Sequence, residues 1–557
     1  MSGPWAQQIW DRVVDLGFAG ESTYGKWSDL FHCPVGPLPK LGLEDLRRVK
    51  QALFSKLGRM MDAHGLDWWE LVSINYHERV ERILALEELA EQIGARDEVF
   101  VSRGGFDAGV MELLLGRAVR PLLPGNSVAG RIWRMAGKLR FGQIVQVLGD
   151  KYDANYRVRR FTSRSTGSCK RPVVLLPTAY VNASRVGLEY AKILPDHDFL
   201  LVATRPSGWL GDLPNNVKAV WLAAYAPGKC PKGEYEYLLA CWGKLLAEFQ
   251  HQREFFILSK VGALKRVPAM LEDGLGIRDA WTQVFDREPA NAVLCADDSN
   301  TYTRLPLLLA RERGLAAIAC HHGALDGRYL IKKNHAGVIL VKGRMEKNYL
   351  VNTCGIAEEE VEIAAPPRVE FSGSRGPKGA VVFFSEPYEA AGGRGIEFYR
   401  EVLPGLAEIA AARQRELVIK LHPQESMRER QGFINAVLTP EQRKFVRMVE
   451  GKLSEELLRD IWFAMTVLSS TAVECTLRRV PVFLCTWLDW TNYGYAEQFL
   501  RFGAGARLRS RDEIAGIPDR IADFVLGNAS DLWEPVAPER LEQLLSPREP
   551  VALAAAV

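Results

Sequence analysis

The first residues that could do chemistry lie at the end of the predicted strand ELVIKL, which covers residues 416–421. Lys420 and His422 alternate with apolar residues, which places both on one face of a predicted strand, and Pro423 ends that strand. An ammonium and an imidazole can both donate hydrogen bonds to a phosphate group or to a nucleotide base. The motif therefore predicts nucleotide binding. The alternative is a strand terminator with a surface histidine.

A cluster of hydroxyl side chains follows the short apolar run MTVL. Ser469, Ser470 and Thr471 lie where a predicted strand turns into a helix, and Glu474 follows about one turn later. Backbone N–H groups at a helix start favour an anion, so the cluster predicts a phosphate site with Glu474 near a ribose hydroxyl. Adjacent parallel strands would bring this turn beside the His-Pro turn. The alternative is a hydroxyl that only caps the helix.

Two aspartates follow the predicted strand AVLC. Paired carboxylates at a strand end can keep one proton near neutral pH, which suits a general base. Asp297 and Asp298 are therefore candidate catalytic residues. The alternative is a turn in which an aspartate caps the following helix.

A histidine turn follows the predicted strand LAAIAC. His322 is a candidate base, because a neutral imidazole can take a hydroxyl proton, and Gly323 lets a ligand approach the backbone. Arg328 is a candidate partner for an anion. The alternative is a tight turn with one buried and one exposed histidine.

Short apolar strands alternate with helices in two blocks, and the polar stretch SGSRGPKG separates the blocks near residue 375. This order is typical of parallel βαβ units, so we predict an α/β protein with two Rossmann-like domains. The predicted limits are a helical extension over residues 1–95, a first domain over 96–370, a second domain over 371–540 and a flexible tail over 541–557. Within the second block, LSEELLRDIWFA is predicted to be helical.

Composition narrows the function. With 47% hydrophobic and 25% charged residues the chain resembles an ordinary globular enzyme, and its net charge of +3 without a basic run predicts no nucleic-acid partner. The nine cysteines are scattered and odd in number, which favours a reducing compartment over a disulfide framework. Cys320, His321 and His322 are adjacent and alternate between strand faces, so we predict no metal site.

The N-terminus lacks the basic and apolar regions of a secretory signal, and no apolar stretch is long enough to span a membrane. We therefore expect a cytoplasmic protein. Peripheral association with the inner face of the membrane remains open.

The His-Pro turn followed by the hydroxyl cluster resembles two motifs of bacterial GT-B transferases that use CMP-activated sugars. These are the sialyltransferases and the transferases of Kdo, an acidic eight-carbon sugar. The resemblance implies that His422 and residues 469–471 hold a cytidine phosphate. The aspartate pair resembles the acidic motif that supplies the base in sialyltransferases, which implies that role for Asp297 or Asp298. It also implies two domains that face a cleft.

His322 and Gly323 instead resemble the His-Gly turn of CDP-glycerol glycerophosphotransferases and some capsule-synthesis proteins, in which the histidine is the base. Together the resemblances imply a metal-independent glycosyltransferase without a cofactor. It would move a sugar from a nucleotide donor, with a CMP-sugar favoured, to a surface or lipid-linked glycan. The loop over residues 206–212 is predicted to line the acceptor cleft. Three alternatives are polyol-phosphate transfer from a CDP donor, epimerisation of a nucleotide sugar and a non-catalytic role in polysaccharide assembly.

Overall fold

The computed structural model describes most of the chain from residue 41 onward. The described residues are 13–14, 35–36, 41–91, 93–95, 100–103, 105–123, 171–208, 210, 212–225, 232–323, 327–367, 379–387, 395–422, 425–451, 453–489 and 493–546. The chain divides into two compact units. The first comprises residues 44–83, 126–368 and 534–557, and the second comprises residues 1–43, 84–125 and 369–533.

A seven-stranded parallel sheet forms the first unit, with the order β11-β10-β9-β8-β5-β6-β7. Its strands are β5 (Val173–Thr178), β6 (Asp198–Ala203), β7 (Val217–Trp221), β8 (Ala290–Cys295), β9 (Ala316–Ala319), β10 (Val338–Val341) and β11 (Val361–Ile363). The chain runs outward from β5 to β7 and then returns to pair β8 with the other side of β5. The carboxyl ends of β5 and β8 therefore flank the point where the strand order reverses.

Helices cover this sheet because its central strands are apolar on both faces, and all six residues of β5 are buried. The helices of the unit that begin after residue 170 are α5 (Val181–Ala191), α6 (Lys232–Glu248), α7 (Arg253–Lys260), α8 (Val267–Arg287), α9 (Thr301–Glu312), α10 (Arg344–Asn348) and α19 (Pro538–Leu545). The predicted tail therefore starts later than residue 541. Leu541, Leu544 and Leu545 are buried in the core of this sheet and hold α19 in place.

The N-terminal helices α1 (Leu43–Phe54) and α2 (Trp68–Ser73) pack on the same unit, and α3 (His77–Glu91) follows them. Trp69 lies 4.9 Å from Phe249 and 5.5 Å from Phe255 between ring centroids. Trp68 is buried and donates from its indole N–H to Asp62 at 2.8 Å. Large aromatic side chains thus attach the predicted helical extension to the first unit.

A six-stranded parallel sheet forms the second unit, with the order β14-β13-β12-β15-β16-β17. Its strands are β12 (Ala380–Phe384), β13 (Leu417–Lys420), β14 (Val446–Val449), β15 (Ile461–Thr466), β16 (Val482–Cys485) and β17 (Ala506–Leu508). Its helices that begin after residue 390 are α11 (Gly395–Ala412), α12 (Met427–Val437), α13 (Pro440–Arg443), α14 (Glu455–Arg459), α15 (Thr471–Leu477), α16 (Tyr495–Arg501), α17 (Ile517–Arg520) and α18 (Ala529–Leu532). The two Rossmann-like sheets confirm the predicted α/β class.

Two expectations for the second unit were wrong. β13 and β15 are not adjacent, because β12 pairs with both of them. The helix predicted over LSEELLRDIWFA ends at Arg459, and its apolar end forms the buried strand β15. A short apolar run fits a buried helix and a buried strand equally well, which explains the second error.

Four short strands lie outside the two large sheets: β1 (Val13–Val14), β2 (Val35–Gly36), β3 (Phe100–Arg103) and β4 (Arg120–Leu123). Helix α4 (Phe106–Leu115) follows β3. In the described part of the chain, no helix is long and apolar enough to cross a membrane. The domain limits other than the start of the tail remain predictions.

Candidate functional site

The reversal point of the first sheet carries a tyrosine that the sequence did not single out. Tyr180 follows β5, and its hydroxyl lies 3.0 Å from Nδ1 of His322, which follows β9. The two rings meet edge to face with centroids 5.1 Å apart. His322 is exposed, whereas His321 beside it is buried, as the tight-turn alternative predicts. A hydroxyl on Nδ1 orients the imidazole, which is what a general base needs.

Asp297 also lies beside Tyr180. Burial is the main reason that the pKa of Tyr180 is raised, and the Asp297 carboxylate raises it further, while Arg328 acts in the opposite direction. The Asp297 carboxylate accepts hydrogen bonds from Ser299 N at 3.0 Å and Asn300 Nδ2 at 3.1 Å. Asp297 thus forms the predicted turn and, at the same time, lies in the group around Tyr180.

Asp298 has a different environment from its neighbour. It is only 2% exposed, and one carboxylate oxygen accepts a hydrogen bond from the fully buried Lys332 at 2.5 Å. A buried ion pair of this kind is broken only at a high free-energy cost, because it leaves the partner charge unpaired. The structure therefore separates Asp298 from Asp297, which the sequence treats as equivalent candidates.

A buried polar cluster extends from Asp298 toward helix α2. Arg304 is fully buried, and none of its guanidinium nitrogens has a hydrogen-bond partner in the structure, although Glu70 lies 3.9 Å away. Glu70 also lies 3.3 Å from Nδ1 of His335. Burial, followed by the positive charge of Arg304, holds the pKa of His335 well below its ordinary value, so this histidine is neutral.

The remaining predicted residues of the first unit lie in the loop after β9. The Lys342 ammonium donates to the Gly323 carbonyl and also lies 3.8 Å from the Glu346 carboxylate, so the residue after β10 fixes the turn that carries His322. Arg328 is exposed in the same loop. Among the described residues, no group of three or more His, Cys, Asp or Glu side chains could hold a metal ion.

The reversal point of the second sheet lies between β12 and β15, and Glu386 occupies it. Its buried carboxylate accepts hydrogen bonds from Thr466 Oγ1 at 2.7 Å and Leu468 N at 3.0 Å. Burial raises the pKa of Glu386 to about 7, and the backbone N–H groups of residues 467–469 oppose that shift. Glu386 therefore fixes the start of the turn that carries the predicted hydroxyl cluster.

The hydroxyl cluster itself is arranged as a turn into α15. Ser469 Oγ accepts a hydrogen bond from Thr471 N at 3.3 Å, whereas Ser470, the residue directly before the helix, makes no side-chain capping bond. Thr471 Oγ1 is buried and has no hydrogen-bond partner among the residues that the structure describes, whereas Ser470 is exposed. Glu474 pairs with Arg478 at 2.8 Å, so its carboxylate already has a cation when no ligand is present.

The His-Pro turn is held by a second carboxylate that the sequence did not single out. Glu425 accepts from the His422 backbone N–H, from Ser385 Oγ and from Arg430 Nε, each at 2.7 Å. Burial, with a smaller contribution from nearby Lys420, lowers the pKa of His422, so its imidazole is neutral at pH 7. Such a ring suits a hydrogen bond to a base or ribose better than an ion pair with phosphate.

Lys420 and Pro423 are the other predicted residues at the end of β13. The Lys420 ammonium donates to the carbonyls of Leu421 at 2.9 Å and Gly451 at 2.7 Å, so it ties β13 to the end of β14. Burial lowers the pKa of Lys420. Pro423 lies outside the described residues.

The last residues of the central strand connect the two predicted motifs. Ser385 bonds to Glu425 of the His-Pro turn, and Glu386 bonds to the hydroxyl turn. Both residues directly follow β12, just as Tyr180 closely follows β5. A signal for them existed in the sequence, because the first strand of a Rossmann-like sheet always flanks the reversal point, where ligands bind.

Comparisons with known proteins identify no family. No family profile matches the chain, and no curated protein matches it. Solved structures that match include the kitacinnamycin glycotransferase at 13% identity, covering 67% of this chain and 94% of that one, with a TM-score of 0.38. The calicheamicin glycosyltransferase matches at 12% identity over 68% of this chain and 94% of that one, with a TM-score of 0.37. UDP-GlcNAc 2-epimerase from Methanocaldococcus jannaschii matches at 12% identity over 67% of this chain and 98% of that one, with a TM-score of 0.40. Such low scores carry no conclusion about activity.

Proposed function

We propose that this chain is a glycosyltransferase that uses a nucleotide-sugar donor. The observation that carries the proposal is the pair of strand reversals, each surrounded by polar side chains on neighbouring strand ends. Ligands of open parallel sheets bind at such points. A transfer reaction needs a site for the donor and a site for the acceptor, and the chain offers one candidate on each sheet.

The nucleotide binds to the second sheet in this proposal. The buried Thr471 hydroxyl has no partner in the described part of the chain and is available to a phosphate oxygen, and the neutral His422 imidazole binds the base or ribose. Glu386 and Glu425 hold the two turns in place. Hydrogen-bond donors that are held in place in this way stabilise the charge that develops on the departing nucleoside phosphate.

The acceptor binds to the first sheet. His322 takes the proton of the acceptor hydroxyl, the resulting oxygen attacks the anomeric carbon, and the bond to the nucleoside phosphate breaks. Tyr180 orients His322 from Nδ1, and Asp297 is the second candidate base in the same group. Asp298 positions the loop through Lys332 and does not take the proton.

The finer assignment is a CMP-linked sugar transferred to a surface glycan. It rests on the resemblance of the His-Pro and hydroxyl motifs. Polyol-phosphate transfer from a CDP donor is the second candidate, and the exposed, tyrosine-bound His322 favours it, because those enzymes use a His-Gly turn. Phosphate in the product distinguishes that reaction from glycoside formation.

A thermal-shift screen with CMP, CDP, UDP, GDP and ADP tests the donor assignment. A ligand that binds only the folded state raises the melting temperature. We expect CMP or CDP to give the largest increase, and we expect His422→Ala and Thr471→Val to lose it. Thr476→Val is the matched control, because the Thr476 hydroxyl in the same helix already donates to the Ala472 carbonyl at 2.9 Å. No response to any nucleotide at millimolar concentration would overturn the proposal and favour the assembly role.

A further inference from the structure

Arg205 lies at the carboxyl edge of the first sheet, in the loop that follows β6. The loop is fixed to the end of β5, because Thr204 donates from its backbone N–H to the Thr178 carbonyl at 2.8 Å. Gly208 approaches the same strand so closely that a Cβ atom there would lie 3.0 Å from the Thr178 carbonyl oxygen. Arg205 is therefore held beside the strand end that carries Tyr180.

The Arg205 guanidinium lies over an aromatic ring, and one of its nitrogens has no hydrogen-bond partner in the part of the chain that the structure describes. Its central carbon lies 4.9 Å from the centroid of Tyr302, which belongs to the first turn of α9 after the aspartate loop. The Arg205 Nε is buried and has no hydrogen-bond partner among the described residues, although the side chain as a whole is only half-buried. A buried charged donor without a partner is unfavourable, so the arrangement indicates a partner that arrives with a ligand.

The stacking also determines which ligand fits. A guanidinium that lies over a ring keeps the N–H groups in its own plane available, and these match the two oxygens of a carboxylate or phosphate. Arg328, which acts on Tyr180 from the loop after β9, adds a second positive charge at this edge. Asp297, which also acts on Tyr180, places one negative charge at this edge, whereas Asp298 is already paired with Lys332.

We propose that Arg205 binds an oxyanion, a carboxylate or a phosphate, on the substrate of the first sheet. The inference rests on the proposed function in that this substrate is the acceptor glycan. The acceptor is then an acidic or phosphorylated sugar, and Arg205 sets that specificity from the position directly before the loop over residues 206–212, which the sequence predicts to line the acceptor cleft.

Ligand-observed NMR on the full chain tests this assignment with three probes. Glucuronate carries a carboxylate, glucose 6-phosphate carries a phosphate, and glucose carries neither. We expect at least one anionic probe to bind about tenfold more tightly than glucose, which a charged hydrogen bond supplies. The probe that is preferred identifies the oxyanion. Equal binding of all three probes, or no binding at all, overturns the inference.

Two variants of Arg205 connect the preference to this side chain. Arg205→Gln should abolish the preference. Arg205→Lys keeps a cation over Tyr302 but cannot form two parallel hydrogen bonds, so the preference should decrease several-fold. Arg313→Gln is the matched control, because Arg313 also lies 4.9 Å from an aromatic centroid, that of Phe285, yet has Asp286 at 3.1 Å as its ion-pair partner. A full preference in Arg205→Lys overturns the assignment, whether or not Arg205→Gln folds.

The nucleotide response of the same samples separates this inference from the proposed function. If CMP still raises the melting temperature while the anion preference is absent, the anion site is wrong and the transferase proposal stands. If the preference is present and depends on Arg205 while no nucleotide binds, the anion site stands and the transferase proposal is wrong.

Discussion

At the scale of single residues, the adjacent aspartates Asp297 and Asp298 have different roles. Asp297 belongs to the polar group around Tyr180, whereas Asp298 neutralises the buried Lys332. Their equivalence in the sequence could not be resolved without the structure, because the partner of Asp298 follows it by 34 residues. Lys332 stands in the sequence KKN, which carries no sign of burial.

Replacing each aspartate by asparagine should therefore change the free energy of unfolding by different amounts. Asp298→Asn removes the carboxylate that neutralises a fully buried ammonium, so we expect the free energy of unfolding to fall by about 3–5 kcal/mol. Asp297→Asn alters a half-buried turn and should cost about 1 kcal/mol. Chemical denaturation of both variants measures the difference. Equal effects would show that Asp298 is not a structural residue.

Glu386 gives a second prediction, in the pH dependence of stability. Its pKa is about 7 in the folded chain against an ordinary 4.5, so the folded state retains a proton that the unfolded state has lost between these values. The contribution therefore stabilises the fold at acid pH and is lost as the pH rises through about 7. It amounts to roughly 3 kcal/mol at most. The Cys485 thiol beside it stays neutral over this range, because burial raises its pKa well above the ordinary value.

The comparison is the free energy of unfolding of the wild type and Glu386→Gln at pH 5 and pH 8. The wild type should lose more stability than the variant between the two pH values. Glu346 in the other unit has a similarly raised pKa of about 7, but it is present in both proteins and cancels in the difference. Identical pH profiles would mean that Glu386 does not titrate in this range.

At the scale of elements, close packing fixes the N-terminal helices. Gly274 on α8 faces Trp68 on α2, and a Cβ atom at Gly274 would lie 2.5 Å from the indole ring. Trp68 has little room to move, because its N–H is bonded to Asp62. The small residue at this position thus allows α2 to lie against α8.

Alanine substitutions at two glycines of α8 test this packing. Gly274→Ala should destabilise the chain by about 1–3 kcal/mol through overpacking. Gly276→Ala in the same helix has no atom within 4 Å of the new Cβ and should stabilise by up to about 1 kcal/mol. Thermal melting of both variants checks the two signs. Destabilisation by both substitutions would attribute the effect to α8 itself and not to Trp68.

The strands and turns also show which parts of the fold could be predicted from the sequence. Alternating apolar runs predicted the parallel strands, because such strands are buried on both faces. The pattern could not reveal that β12 lies between β13 and β15, since strand order depends on crossovers and not on local periodicity. It identified His422 and Ser469 but missed Glu386 and Glu425, because the partners that show their role in the two turns lie 82 and 40 residues away along the chain.

At the scale of the whole molecule, the chain repeats one architecture on two units. In each sheet the strand order reverses once, and polar side chains surround that point. The units differ in chemistry, however. The first carries a tyrosine, an exposed histidine and two arginines, Arg205 and Arg328, and the second carries hydroxyl groups and a neutral histidine. This division suits an acceptor that loses a proton and a donor that loses a nucleotide.

The central claim is that a nucleotide binds at the reversal point of the second sheet, and hydrogen–deuterium exchange of the full chain tests it most directly. The nucleotide is the one among CMP, CDP, UDP, GDP and ADP that raises the melting temperature most. We predict slower exchange in peptides that cover residues 466–477 and 420–426, and unchanged exchange in peptides that cover residues 295–330. Protection confined to residues 295–330, or no protection at saturating nucleotide, would contradict the account.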